Sequence, residues 1–96
     1  MITANFNIRF DFRLETARLS IILEADVQEH HSATYYVITN FHIPGHHNRT
    51  ILPPISIRKE KGQWVHTDSG KATELSAAAG KAIEARKGRE GGGMAG

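Results

Sequence analysis

The stretch N-F-N-I-R-F-D-F-R-L, from Asn5 to Leu14, decides the fold of this chain of 96 residues. Five apolar side chains alternate there, without interruption, with polar ones: Phe6, Ile8, Phe10, Phe12 and Leu14. Since successive side chains on a strand point to opposite faces, the pattern predicts a half-buried strand with one apolar and one polar face. The rest of the chain must pair with this strand or cover its apolar face.

Length and composition predict one soluble domain. A chain of this length can bury about 60 to 70% of its unfolded surface without disulfides or metals. The sequence has no cysteine, which excludes thiolate metal sites and a disulfide scaffold and fits a reducing compartment. Because no apolar run reaches membrane-spanning length and the N-terminus lacks a signal-peptide pattern, we expect a cytoplasmic protein that does not contact membranes.

The residues after Leu14 are predicted to return as the second strand of a hairpin, at Arg18 to Ala25. A four-residue loop and a register that aligns the apolar faces place Phe10 opposite Ile21. The same register places Arg13 opposite Arg18 on the outer face, where two like charges are unfavourable.

The third strand is predicted at residues 33–43, where aromatic and β-branched residues are frequent. Uninterrupted alternation turns four of its side chains to the core, namely Tyr35, Val37, Phe41 and Ile43. It turns the intervening four outward, namely Tyr36, Ile38, Asn40 and His42. An irregular loop at residues 46–54 follows, because Pro53 and Pro54 cannot lie inside a central strand.

The last hairpin joins Ile55–Lys59 to a fifth strand. A three-residue loop with Gly62 in a bulge pairs Arg58 with Trp64 on the outer face. A two-residue loop is the alternative, and it would turn Trp64 to the core face.

Helical spacing begins after Thr67. Asp68 or Ser69 is the predicted helix cap, and Lys87–Gly88 is the predicted end. The stripe that should pack on the sheet consists of Ala72, Leu75, Ala79, Ala82 and Ile83. The sequence therefore predicts an α+β domain over residues 1–88, an antiparallel meander of about five strands with one C-terminal helix on one face, and a disordered glycine-rich tail over residues 89–96.

No motif predicts catalysis or a cofactor. The sequence D-S-G-K-A-T at residues 68–73 precedes a helix as a phosphate-binding loop would, but Val65 and Ala72 stand where the Walker pattern needs Gly and Ser or Thr. There is also no nucleophile elbow and no cysteine for a nucleophilic triad. We therefore expect a protein that is not an enzyme.

Six histidines suggest a metal site as a minor alternative. His42, His46 and His47 span a turn that could bring three imidazoles together around zinc. Their loop positions lack the helical spacing of catalytic zinc motifs, so solvated histidines are the favoured interpretation.

The outer face of the predicted sheet is the candidate functional surface. It carries arginines among aromatic and apolar side chains: Arg9, Arg13, Arg18, Tyr36, Ile38, Arg58 and Trp64. Rings among arginines are used by proteins that bind single-stranded nucleic acid, since bases stack on rings and guanidinium groups neutralise phosphates. Tyr, Trp and Arg are also the residues enriched at the cores of protein interfaces.

The order of predicted elements, antiparallel strands followed by one helix, resembles in outline the repeat of the purine-rich-element (PUR) proteins and the related whirly fold. The resemblance implies single-strand binding and dimerisation, and no signature residues accompany it. The favoured interpretation is a non-enzymatic binding domain that uses its open sheet face for protein–protein interaction or homodimerisation. Single-stranded nucleic-acid binding is the first alternative, and metal binding through histidine is the second.

Overall fold

In a computed structural model, the chain forms one antiparallel sheet with one helix across one of its faces. The structure describes residues 2–14, 18–45 and 50–95, without the side chains of residue 14 and residues 89–95. The elements are β1 (Ile2–Leu14), β2 (Leu19–His30), β3 (Tyr35–His42), β4 (Ile55–Glu60), β5 (Gln63–His66) and α1 (Glu74–Ala95). The strands are neighbours in chain order. The predicted α+β meander with one C-terminal helix is therefore confirmed.

The hairpin of β1 and β2 has the predicted apolar and polar faces, but its two strands pair in a different register. Phe10 pairs with Leu23, and Arg13 pairs with Ser20. The predicted opposition of Arg13 and Arg18 is wrong, because Arg18 belongs to the turn, where its φ is 50°. Since the side-chain period of a strand is two, this shift by two positions leaves every residue on its predicted face.

β2 is longer than predicted. It runs past Ala25 to His30, and Val27 in the added segment is buried. A turn at residues 31–34 then leads into β3. The mixed composition of residues 26–30 concealed a strand in which the polar Asp26, Gln28 and His30 alternate with two buried residues, Val27 and Glu29.

A bulge at Asn40 and Phe41 interrupts the pairing of β3 with β2, and Asn40 has a φ of 56°. The bulge reverses the alternation, so Tyr36, Ile38 and Phe41 are all buried in the core. The prediction that placed Tyr36 and Ile38 on the outer face is wrong. It continued one alternation through the whole strand, whereas one extra residue exchanges the two faces.

The hairpin of β4 and β5 has the two-residue loop. Lys61 and Gly62 both have positive φ, 52° and 81°, as in a type I′ turn. Trp64 consequently pairs with Lys59 and is buried in the core. The predicted pairing of Arg58 with Trp64 on the outer face is therefore wrong.

The helix begins later than predicted and has a reciprocal cap. The Thr73 Oγ1 accepts a hydrogen bond from the Ser76 N–H (3.0 Å), and the Ser76 Oγ accepts one from the Thr73 N–H (2.8 Å). This is a capping box in which serine replaces the usual Glu or Gln. The predicted cap at Asp68 or Ser69 is wrong, because both residues lie in a turn before the helix.

The helix packs chiefly on β1 through the predicted stripe, apart from Ala72, which is exposed ahead of the helix. The packed residues are Leu75, Ala78, Ala79, Ala82 and Ile83. The predicted helix end at Lys87–Gly88 is wrong, because the helix continues to Ala95. The predicted disorder of the tail at residues 89–96 stays a prediction. No helix among the described residues has the length and apolar character needed to cross a membrane.

Candidate functional site

The outer edge of β1 is the candidate functional site. β1 and β5 are the two edge strands of the sheet, and β1 has 13 residues whereas β5 has four. Native proteins commonly keep edge strands short or cover them, because unpaired N–H and C=O groups attract further strands. A long edge strand is therefore the feature of this fold that most needs an explanation.

Hydrogen bonding identifies the residues that face the open edge. The Asn7 carbonyl accepts a hydrogen bond from Arg86 Nη1 of α1 at 3.1 Å, so this carbonyl points away from β2. In an antiparallel strand, the N–H and C=O of one residue point to the same side, and successive residues alternate. The residues whose backbone groups face the edge are thus Asn5, Asn7, Arg9, Asp11 and Arg13.

A groove of about 510 Å³ lies between this edge and the first half of α1. Its apolar lining comes from β1 and from the small side chains of the helix: Phe10, Phe12, Ala77, Ala78 and Ala82. Charged residues of both signs also line it, among them Glu74 and Lys81. The groove could therefore accept apolar side chains of a segment bound along the edge.

The exposed face of β1 carries charges of alternating sign. The Arg9 guanidinium, 61% exposed, forms an ion pair with Glu24 of β2 at 3.1 Å. Asp11 and Arg13 are exposed and have no hydrogen-bond or ion-pair partner among the described residues. The edge thus presents positive, negative and positive side chains at consecutive outward positions.

The structure does not bring the predicted surface residues together. Arg9 and Arg13 are exposed on β1, and Arg18 is exposed in the turn before β2. Arg58 lies on β4 and binds Glu60 through Nε and Nη2 at 3.0 and 2.7 Å. The other three predicted residues, Tyr36, Ile38 and Trp64, are buried. The aromatic rings and the arginines therefore do not share an open face.

Trp64 instead anchors the helix. Its indole Nε1 donates to Glu84 Oε1 at 3.0 Å, and Lys59 Nζ approaches the same carboxylate at 3.1 Å. The hydrogen bond from Trp64, followed by that from Lys59, holds the pKa of Glu84 below its ordinary value of 4.5. A ring expected to meet a partner is thus part of the fold.

A second polar contact joins the helix to the sheet. Glu29 of β2, 8% exposed, accepts hydrogen bonds from Lys87 Nζ and from Thr3 Oγ1. Lys87 also contacts the Tyr36 hydroxyl at 3.2 Å. The bond from Lys87 lowers the pKa of Glu29, and the Glu29 carboxylate raises that of Lys87. The buried Glu29 carboxylate and Tyr36 hydroxyl therefore find their hydrogen-bond partners within the fold.

The histidine alternative finds no geometric support in the described residues. His42 is buried, with Nδ1 on the Asn40 carbonyl at 2.8 Å and Nε2 on Glu24 at 3.3 Å. Both ring nitrogens therefore already meet protein oxygens. His46 and His47 lie outside the described residues, and no group of three potential metal ligands occurs within them.

The order of the strands in the sequence already contains a signal for the β1 edge. The first strand of a meander pairs on one side only, so its position in chain order already makes it an edge. The groove gives a weaker signal, because Ala77 and Ala78 look like ordinary helix positions until the helix is placed on β1.

Comparison of the chain with known protein families, curated proteins and solved structures found no match.

Proposed function

We propose that this protein is a non-enzymatic binding module that accepts an extended segment of a protein partner along the open edge of β1. The length of this edge strand is the observation that carries the proposal. In strand addition, main-chain hydrogen bonds supply affinity, and pockets for alternate side chains supply specificity. The edge of β1 offers main-chain N–H and C=O groups, and the apolar groove beside it offers a pocket for side chains.

A protein partner fits the chemistry of this surface better than a nucleic acid. Arg9 and Arg58 are each bound to a carboxylate, which lowers their capacity to neutralise phosphate. Tyr36 and Trp64, the rings that could stack on bases, are buried under the helix.

The absence of cysteine from the sequence suits action in the cytoplasm.

The experiment selects random peptides of about ten residues, the upper length of an ordinary strand, on the immobilised full chain. The selected peptides are then measured against Asp11→Pro and Asp11→Ala. Proline removes an edge N–H, whereas alanine removes only the side chain, and proline is tolerated on edge strands. We expect peptides with alternating apolar side chains whose binding falls about tenfold or more with proline and little with alanine.

Arg13→Pro is a second blocking variant nearer the end of β1, and thermal unfolding of each variant confirms that it folds. Peptides that bind both proline variants as well as the wild type would overturn the proposal. So would a selection that yields no binding peptide and a chain that does not self-associate through β1.

A further inference from the structure

We infer that the segment that adds to β1 is β1 of a second copy, in an antiparallel pairing centred on Phe10. This inference rests on the proposed function and names the partner. It gives a symmetric dimer in which the two sheets join into one. Its support is the order of side chains along β1, which is complementary to itself when reversed.

The charges match in this pairing. With Phe10 opposite Phe10 of the partner subunit, Arg9 lies opposite the partner's Asp11, and two-fold symmetry repeats the contact. Arg13 then lies opposite the partner's Asn7, so no like charges meet. Opposite charges at facing positions stabilise a pair of strands, and like charges destabilise it. Asp11, which has no partner among the described residues, obtains a guanidinium.

Neighbouring registers are less favourable. A centre at Asp11 places the two Asp11 carboxylates opposite each other and sets Arg9 against the partner's Arg13. A centre at Arg9 places two arginines in opposition. A centre at Phe12 matches charges again, but it pairs only residues 10–14 of each copy, whereas the centre at Phe10 pairs residues 6–14. A centre at Ile8 pairs residues 2–14, but it sets Arg9, Asp11 and Arg13 against uncharged residues. Opposite charges therefore meet only with the centre at Phe10 or at Phe12, and the longer pairing selects Phe10.

The backbone and the apolar face are also compatible with this pairing. Outward-facing odd-numbered residues meet one another, so their free N–H and C=O groups form the hydrogen-bonded pairs. The Asn7 carbonyl can accept from the partner strand as well as from Arg86, because a carbonyl has two lone pairs. On the other face, Phe12 lies opposite the partner's Ile8, and the two apolar grooves meet beside the joined strands.

Sedimentation equilibrium of the full chain tests the inference. We expect a dimer whose dissociation constant rises about tenfold or more in Asp11→Arg, because two arginines then oppose each other twice. Arg9→Asp combined with Asp11→Arg and Glu24→Gln restores opposite charges between the copies without setting two carboxylates against each other at positions 9 and 24, and it should recover the dimer. Asp68→Arg makes the same charge change on an exposed turn away from β1 and should leave the dimer unchanged.

Disulfide trapping gives a second measurement, which can detect the dimer even when a variant is somewhat less stable than the wild type. The chain has no cysteine of its own. Arg9→Cys and Asp11→Cys chains, mixed and oxidised, should form a mixed disulfide, because facing residues of a hydrogen-bonded pair are about 5.5 Å apart at Cα. Either cysteine variant alone should form a disulfide-linked dimer more slowly, because the same residue in the two copies is a diagonal neighbour, about 7 to 8 Å apart.

A wild-type chain that stays monomeric at its solubility limit would overturn the inference. So would a dimer that ignores Asp11→Arg and gives no mixed disulfide. In either case, the peptide selection still decides the proposed function separately, because it measures binding of a foreign strand to the same edge.

Discussion

Gly80 of α1 lies directly against the indole ring of Trp64, so closely that a β-carbon at this position would overlap the ring atoms. The glycine lets the helix approach the sheet at the point where the largest side chain of the core stands. Trp64 is itself held by its hydrogen bond to Glu84 and by burial, so it cannot move aside cheaply. The Gly80–Trp64 contact therefore fixes the distance between helix and sheet.

The first prediction is that Gly80→Ala destabilises the protein by about 2 kcal/mol. Overpacking of a core costs about 1 to 3 kcal/mol, and the severe overlap places this variant at the upper end, offset by about 1 kcal/mol of helix propensity. Gly88→Ala is the matched control, since nothing lies within 4 Å of a β-carbon there. Urea unfolding should show a loss for the first variant and a small gain for the second. Equal gains would contradict the described contact.

The second prediction contrasts two isoleucines. Ile38 is fully buried and Ile22 is 48% exposed. Ile38→Ala should cost about 2 to 5 kcal/mol because it leaves a cavity, and Ile22→Ala should cost much less. The ranking of the two denaturation midpoints checks the bulge at Asn40, because without that bulge Ile38 would lie on the outer face. If Ile22→Ala were more destabilising than Ile38→Ala, the outer face of the sheet would again be a candidate binding surface.

The third prediction concerns the helix cap. Thr73→Ala should cost about 1 kcal/mol, the usual loss when an N-cap side chain is removed. Asp68→Ala, at one of the two cap positions predicted from the sequence, should leave the free energy of unfolding nearly unchanged. Thermal unfolding of both variants decides between the two cap positions. A larger loss at Asp68 would mean that the helix begins earlier than described.

The fourth prediction concerns acid. The pKa of Glu84 is lower in the folded protein than its ordinary value of 4.5, so the folded state favours the charged carboxylate. This contribution is fully present above pH 4.5 and is lost as the pH falls through the lower, folded-state pKa. Glu84→Gln should therefore unfold at a lower midpoint at neutral pH and depend less on pH below 4.5. Parallel stability curves for variant and wild type between neutral and acid pH would rule out this linkage.

The fold class was accessible from sequence because its main signals are local. The alternation along β1 and the helical stripe around Ala79 and Ile83 depend only on side-chain period. Both are present in the structure, the alternation over residues 5–13. The candidate site was less accessible. All seven residues of the predicted binding surface were placed on the outer face, and three of them, Tyr36, Ile38 and Trp64, are buried.

The backbone conformations of two residues account for those errors. One is the left-handed conformation of Asn40, which adds a bulge to β3, and the other is that of Lys61, which shortens the last hairpin loop. Each change exchanges the two faces of the strand, and apolar residues on both faces hid the correct phase. Asn is one of the residues that adopt the left-handed conformation most often, but the apolar pattern of the strands fits either phase and does not choose between them.

By itself, the sequence determined the number and order of the strands and the helix, because hydrophobic period and turn residues are properties of neighbours along the chain. It did not determine all of their bounds. It also determined that β1 has one apolar and one charged face. Only the tertiary structure decided which face of β3 and β5 meets the helix, and how near the helix lies to the β1 edge. Those outcomes depend on packing between distant residues, such as Gly80 and Trp64, where volume and hydrogen bonding across the core override local preference.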